Sequence, residues 1–397
     1  MKISRNSSRV LALLLAIALL TALAGAAIAS DKGKYILFVG TYTEDGSKSK
    51  GIYAFSYDSD SGQVAPLGLA AETTNPSWVT VAPNGRFLYA VNELSKYQGP
   101  NSGGVSAFAV DRGQDGSPTG KLAFLNEVPS RGADPCYVIV DHTGKYVLVA
   151  NYTGGSLAVF PIKAKGSLGA ASDFVQHQGH GPNAERQEAP HVHSVVLSSD
   201  NRFAYVNDLG LDEVLVYKFD SATGKLTPDD PPFAKVDPGA GPRHFALSPS
   251  GKFAYVVDEM GRTVTVFSND AAAGKLEKLQ TISTLPKDFT DRNDDAEIAV
   301  HPSGKFLYAS NRGHDSVAVF AIDPAKGTLT LLQFASTQGK EPRGMEIDPT
   351  GKLLFAANQK SDNIVVFQID QKTGKLTPTG QLLEVPTPVG LTFLSAK

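Results

Sequence analysis

A single cysteine, Cys136, stands among 397 residues, which excludes an intrachain disulfide, a thiolate metal cage and a paired-cysteine redox centre. Neither sign of charge dominates. The 37 Lys and Arg face 40 Asp and Glu, for a formal net charge of −3, so no basic field exists to hold a nucleic-acid backbone or an anionic membrane surface. Tryptophan occurs once and methionine three times. With 42% hydrophobic residues, 38 Gly and 24 Pro, what remains is the composition of a globular protein whose stability comes from packing.

The one long apolar run lies at the start. Lys2, Arg5 and Arg9 precede an uncharged stretch from Val10 to about Leu23, and Ala27-Ile28-Ala29 follows. That order is expected of a secretory signal peptide over residues 1–29, with export to the periplasm or the outside. A membrane anchor would need a longer run of about 20 residues, and no cysteine follows to carry a lipid. Removing 29 of the 397 residues leaves 368, and no later segment is apolar enough to span a bilayer.

Those residues, 30–397, repeat one pattern. Ala82-Pro83-Asn84-Gly85-Arg86-Phe87-Leu88-Tyr89 is a turn followed by a strand, and it recurs at 141–151, 199–207, 248–258, 301–311 and 348–358. The turn positions fall at Gly85, Gly144, Asn201, Gly251, Gly304 and Gly351, at intervals of 47 to 59. Dividing 368 by a mean interval near 53 gives about seven repeats. Each reads as four short antiparallel strands, A to D, joined by Gly, Asp and Asn turns, with no helical periodicity of useful length. Seven such units predict an all-β, seven-bladed β-propeller in one domain. The chain opens on a B-type strand at Tyr35-Ile36-Leu37-Phe38-Val39-Gly40 and ends on an A-type strand at Pro388-Val389-Gly390-Leu391-Thr392-Phe393. One blade is therefore expected to be built from both ends, closing the ring.

Strand A lines the axis of such a ring, so the start of A and the end of B meet at one mouth. The start-of-A column holds Ser77, Cys136, His193, Arg243, Ala296 and Arg343, followed by Trp78, Tyr137, Ser194, His244, Glu297 and Gly344. The end-of-B column repeats Asn or Asp, including Asn311, which fits local turn chemistry. The column after it holds Glu93, Tyr152, Asp208, Glu259, Arg312 and Gln359. Where residue type varies from blade to blade, charged groups around an axis need partners or a ligand. Two long connections, 170–190 with Arg186 and 284–295 with Arg292, are expected over the same mouth.

At Gly40-Thr41-Tyr42-Thr43, Pro190-His191-Val192-His193-Ser194, Gly241-Pro242-Arg243-His244 and Asn311-Arg312-Gly313-His314 the sequence resembles the seven-bladed propeller lactonases, the 6-phosphogluconolactonase type with its relatives, the carboxymuconate-lactonising enzymes. The resemblance implies hydrolysis of a small-molecule lactone, with His193, Arg243 and Glu259 as the catalytic trio. Substrate contacts are expected from Arg186, His191, Glu297, Asn311, Arg312 and Arg343. Opening a cyclic ester needs a water, a base, charge stabilisation for the oxyanion and an acid; Glu259 or His193 is the expected base and Arg243 the expected oxyanion partner. No Gly-x-Ser-x-Gly elbow is present for an acyl-enzyme. Asp258 departs from the family's Asn at that position, and the added carboxylate is expected to raise the pKa of Glu259. No cofactor is expected, although His191 and His193, two apart on a strand, could together ligate a divalent cation. The chain is read as a monomer. Muconate lactonisation, and a propeller that binds a ligand or protein without catalysis, are the competing functions.

Overall fold

The computed structural model describes residues 33–44 and 46–396. The expected leader over residues 1–29 lies outside the described residues. The described chain forms seven four-stranded antiparallel sheets and one short 3-10 turn, Gln359–Ser361. The sheets are the blades of the expected seven-bladed β-propeller, and blades 2 to 7 follow in chain order with inner strands that begin at Val79, Pro135, Val192, Pro242, Asp294 and Pro342. Blade 1 joins the two ends of the chain: its A strand is Pro388–Ser395, hydrogen-bonded to the B strand Lys34–Thr41, then Gly51–Asp58 and Gln63–Glu72.

Sequence accounts for the strands. The B strands, such as Phe87–Asn92 and Leu353–Asn358, are buried at all six positions, because a blade packs on a neighbour through both faces and both must be apolar. Each core cluster is shared by adjacent blades: Ile36 and Phe38 of blade 1 pack with Leu88 and Phe108 of blade 2, and Leu37 packs with Phe355 and Val366 of blade 7. The repeated turn position needs a left-handed backbone. Gly85, Gly144, Gly251, Gly304 and Gly351 have φ between 64° and 73°, and Asn201 takes the same conformation at 65°, as asparagine can at small cost. Gly344 is required by space, since a Cβ there would lie 1.7 Å from the carbonyl oxygen of Val389 on the neighbouring inner strand.

One connection differs from its expected form. Residues 170–190 are not all loop, because Asp173–Gln176 supplies the fourth strand of blade 3, only four residues long; the strand is half-exposed, with none of its residues fully buried.

Leu37, fully buried in the closing blade, tests the closure. Leu37→Ala is expected to destabilise the fold by about 2–5 kcal/mol, measured as a drop in the urea midpoint with an unchanged slope.

Candidate active site

A β-bulge recurs at the start of the inner strand. The register between strands A and B slips at Pro135/Tyr137, Val192/Ser194, Pro242/His244 and Pro342/Gly344. The extra residues are Cys136, His193, Arg243 and Arg343, and a bulge redirects the side chain it inserts. In blade 6 the slip spans Asp295 to Ile298 and takes in Glu297. Five of the six residues of the start-of-A column, all but Ser77, therefore lie at bulges around the axis.

Above them lies a cavity of about 320 Å³ lined by Glu93, Cys136, Tyr152, Arg186, His193, Glu259, Arg292, Asp294, Arg312 and Arg343. Four of the ten are arginines and three are carboxylates, so even before Arg243 behind the wall is counted the lining carries more positive than negative charge. Both long connections reach it, through Arg186 and through Arg292 and Asp294.

Glu259 is the hub of this wall. Arg186 donates to its Oε1 at 2.6 Å, Arg243 Nε donates to Oε2 at 2.9 Å, and Arg312 reaches Oε2 at 2.9 Å. Burial alone would raise the carboxyl pKa, but Arg312, Arg243 and Arg186 outweigh it and hold the group well below the usual carboxylate range. This overturns the expectation that Asp258 raises it. The Asp258 side chain turns away, accepting hydrogen bonds from Thr263 and Thr265 at 2.8 and 2.7 Å, because successive strand residues face opposite ways. Burial pushes Asp258 itself up to about 7.

His193 Nε2 lies 4.0 Å from Glu259 Oε2, and its Nδ1 lies 3.7 Å from Cys136 Sγ. Burial first, then the charges of Arg243, His244 and Arg343, drive the imidazole pKa well below its ordinary value, so the ring is neutral with a lone pair available. Cys136 is driven the other way, its thiol pKa raised mainly by burial; it is a neutral wall residue.

The trio is thus together, although Arg243 sits behind the wall. Its guanidinium is 2% exposed and does not line the cavity; Nη1 donates to Ala296 O at 2.6 Å and meets His244 Nε2 at 3.3 Å. Burial, then Arg312 and Arg343, lower its pKa to about 10, which leaves it charged at neutrality. Arg186, Arg312 and Arg343 do line the cavity. Three expected contacts do not. His191 stacks on Tyr152 at 4.6 Å and pairs with Glu188 at 3.3 Å, the bulge having broken the alternation that would keep it level with His193. Asn311 spends its amide on Thr284 O and Ser316 Oγ. Glu297 lies below the floor, bonded to His244 Nδ1 at 2.9 Å, and burial raises its pKa to about 8.

Two features were not read from sequence. His244, Trp78 and Tyr137 form a floor of mutually packed rings with centroids 4.6 to 5.0 Å apart, although the column containing them was legible. Tyr42 donates to both oxygens of Glu93 at 2.8 Å while Arg343 lies over its ring; its place in the Gly-Thr-Tyr-Thr motif was the available signal. Among the described residues no cluster of three or more His, Cys, Asp or Glu is placed to hold a metal ion, and no helix is long and apolar enough to cross a membrane.

Residues 36–393 match the model of the family described as lactonase, 7-bladed beta-propeller. A 6-phosphogluconolactonase of Bacillus subtilis (strain 168) is 38% identical over 310 residues, 78% of this chain and 84% of that protein. A 6-phosphogluconolactonase of Formosa agariphila is 35% identical, over 77% of this chain and 84% of that protein. Among solved structures, the periplasmic gluconolactonase of Pseudomonas aeruginosa superposes with a TM-score of 0.84 at 36% identity, covering 92% of this chain and all of that one.

Asp258 yields a stability test. Its folded pKa of about 7 lies above the ordinary aspartate value of 3.8, so the folded state binds the proton more tightly and the stability it contributes is present at low pH and lost as pH rises from about 4 through 7. Asp258→Asn, the residue of the equivalent position in most other blades, is expected to raise the unfolding midpoint at pH 8 and flatten its pH dependence between 5 and 8.

Proposed function

The chain belongs to the seven-bladed β-propeller lactonase family, and from that premise we propose that it hydrolyses the cyclic ester of a sugar lactone to the free acid with water as nucleophile. The observation that carries the reading is a neutral, buried imidazole beside an array of guanidinium groups on one cavity wall. Hydrolysis needs those two things: a base that is unprotonated at working pH, and fixed positive charge where the carbonyl oxygen becomes an oxyanion.

His193 is the base in this reading. Glu259 holds no proton near neutrality, because three guanidinium groups keep it ionised; its part is to fix Arg186, Arg243 and Arg312 in place. His193 takes a proton from water as the oxygen attacks the lactone carbonyl. Arg312 and Arg343, which face the cavity, receive the developing negative charge, and Arg243 adds its field from behind Glu259. The protonated imidazole then gives its proton to the departing ring oxygen, which leaves as a hydroxyl on the same molecule. His244 and Glu297 serve as positioning residues: Glu297 accepts from His244 Nδ1, leaving Nε2 to accept from Arg243 Nη1. The chemistry is proposed to proceed without a metal, since arginines supply the positive charge.

We also infer export. The basic start, the apolar run and Ala27-Ile28-Ala29 support it, and the Pseudomonas relative is described as periplasmic. A sugar lactone outside the cytoplasm fits that placement better than a phosphorylated one.

His193→Ala and Arg243→Ala are each expected to lower kcat/KM for glucono-1,5-lactone by about 10²- to 10³-fold, followed as continuous proton release on folded protein; full activity in both would sink the assignment. Because the ordinary value of 6.5 for histidine is lowered in His193, the acid limb of the kcat/KM profile is expected below pH 6.5, with a plateau above it. Chelation with EDTA is expected to leave the rate unchanged.

A further inference from the structure

The hydrolysis proposed above needs only the axial cavity, yet a second one of about 420 Å³ opens on the same face. Its walls come from the ends of blades 7 and 1 and the entry to blade 2, and include Glu44, Asn75, Arg343, Gln359, Lys360 and Asp362. Arg343 lines both cavities, so one side chain stands at their junction.

Two polar groups in the walls of the second cavity lack partners. Arg343 makes no ion pair within 4.0 Å among the described residues, and its buried Nε has no hydrogen-bond partner. The buried Oε1 of Gln359 has none either. By contrast Arg186, Arg243 and Arg312 all bind Glu259, and Arg292 binds Asp294. Leaving a donor and an acceptor unsatisfied beside one cavity costs free energy unless a ligand or water completes them.

The charge of the walls selects the chemistry. Arg343 and Lys360 face Glu44 and Asp362, and Lys360 is already paired with Glu341. An anionic substituent would meet two carboxylates there. A hydroxyl both donates and accepts, and so matches a guanidinium, a carboxamide oxygen and carboxylates together. The volume lies in the range that takes a small organic group.

We propose that this second cavity is a glycosyl subsite, so that the substrate is the lactone of an oligosaccharide acid: the lactone ring in the axial cavity and a neutral sugar residue next to it, with Arg343 touching both. This rests on the lactonase reading and extends it to the substrate class.

The test compares glucono-1,5-lactone, its 6-phosphate and the 1,5-lactone of a β-1,4-linked disaccharide acid on the wild-type protein and on Gln359→Leu. Calorimetric binding of the three open-chain acids is the second readout. Wild type is expected to favour the disaccharide lactone over the monosaccharide lactone at least tenfold in kcat/KM, and Gln359→Leu to erase that preference. Equal values for the two in wild type, a preference that survives Gln359→Leu, or a loss confined to the phosphorylated lactone overturns the proposal. If none of the lactones is turned over, the hydrolase reading fails but the subsite is still decided: tighter binding of the disaccharide acid that Gln359→Leu abolishes supports it, and equal binding overturns it. The wild-type comparison stands whether or not the variant folds.

Discussion

One extra residue near the start of the inner strand, present in six of the seven blades, is the constraint from which the site follows. A regular strand pairing would alternate its side chains between the two neighbouring blades. The bulge breaks that alternation where strand A meets the mouth, and Cys136, His193, Arg243 and Arg343 turn inward as a result. Three of these four follow a proline that begins the strand, Pro135, Pro242 and Pro342. A residue without an N–H is tolerated at such a place, since no ladder hydrogen bond is lost.

The convergence creates an electrostatic problem that Glu259 solves. Several guanidinium groups around one axis repel each other, and Arg243 is buried among them with its pKa lowered to about 10. A single carboxylate accepting from Arg186, Arg243 and Arg312 offsets that repulsion, and its own charge is stabilised in return. Burial first, and then the same cationic field, keep His193 deprotonated. The field that holds Glu259 as an anion thus adds to the burial that denies the imidazole its cation. A base that stays neutral beside fixed positive charge is the feature the chemistry uses.

Beneath this layer aromatic rings from three blades meet. Trp78, Tyr137 and His244 pack against one another, and Glu297 hydrogen-bonds the last of them. Glu297 is raised to about 8, chiefly by burial. Protonated carboxyls cost little to bury, so the floor remains nearly uncharged while the wall above it is not. That contrast keeps the field at the mouth undiluted.

The fold was legible in the sequence because each blade repeats the same local rules: a left-handed turn residue at one position, apolar strands buried on both faces, and split end strands that can only pair with each other. The column reading also placed His193, Arg243, Glu259, Arg312 and Arg343 at one end of the axis. What it could not supply was depth and direction. Glu297 and Arg243 fall below and behind the surface that Arg312 and Arg343 present, His191 is diverted to Tyr152 by the bulge, and Asp258 turns to Thr263 and Thr265 rather than toward Glu259. The Arg312–Glu259 and His244–Glu297 contacts join side chains of adjacent blades more than 50 residues apart in the chain, and the others depend on distances of a few ångströms. A one-dimensional pattern fixes which residues share a level of the ring, whereas which of them touch, and so which protons they hold, was decided only when the blades closed on one another.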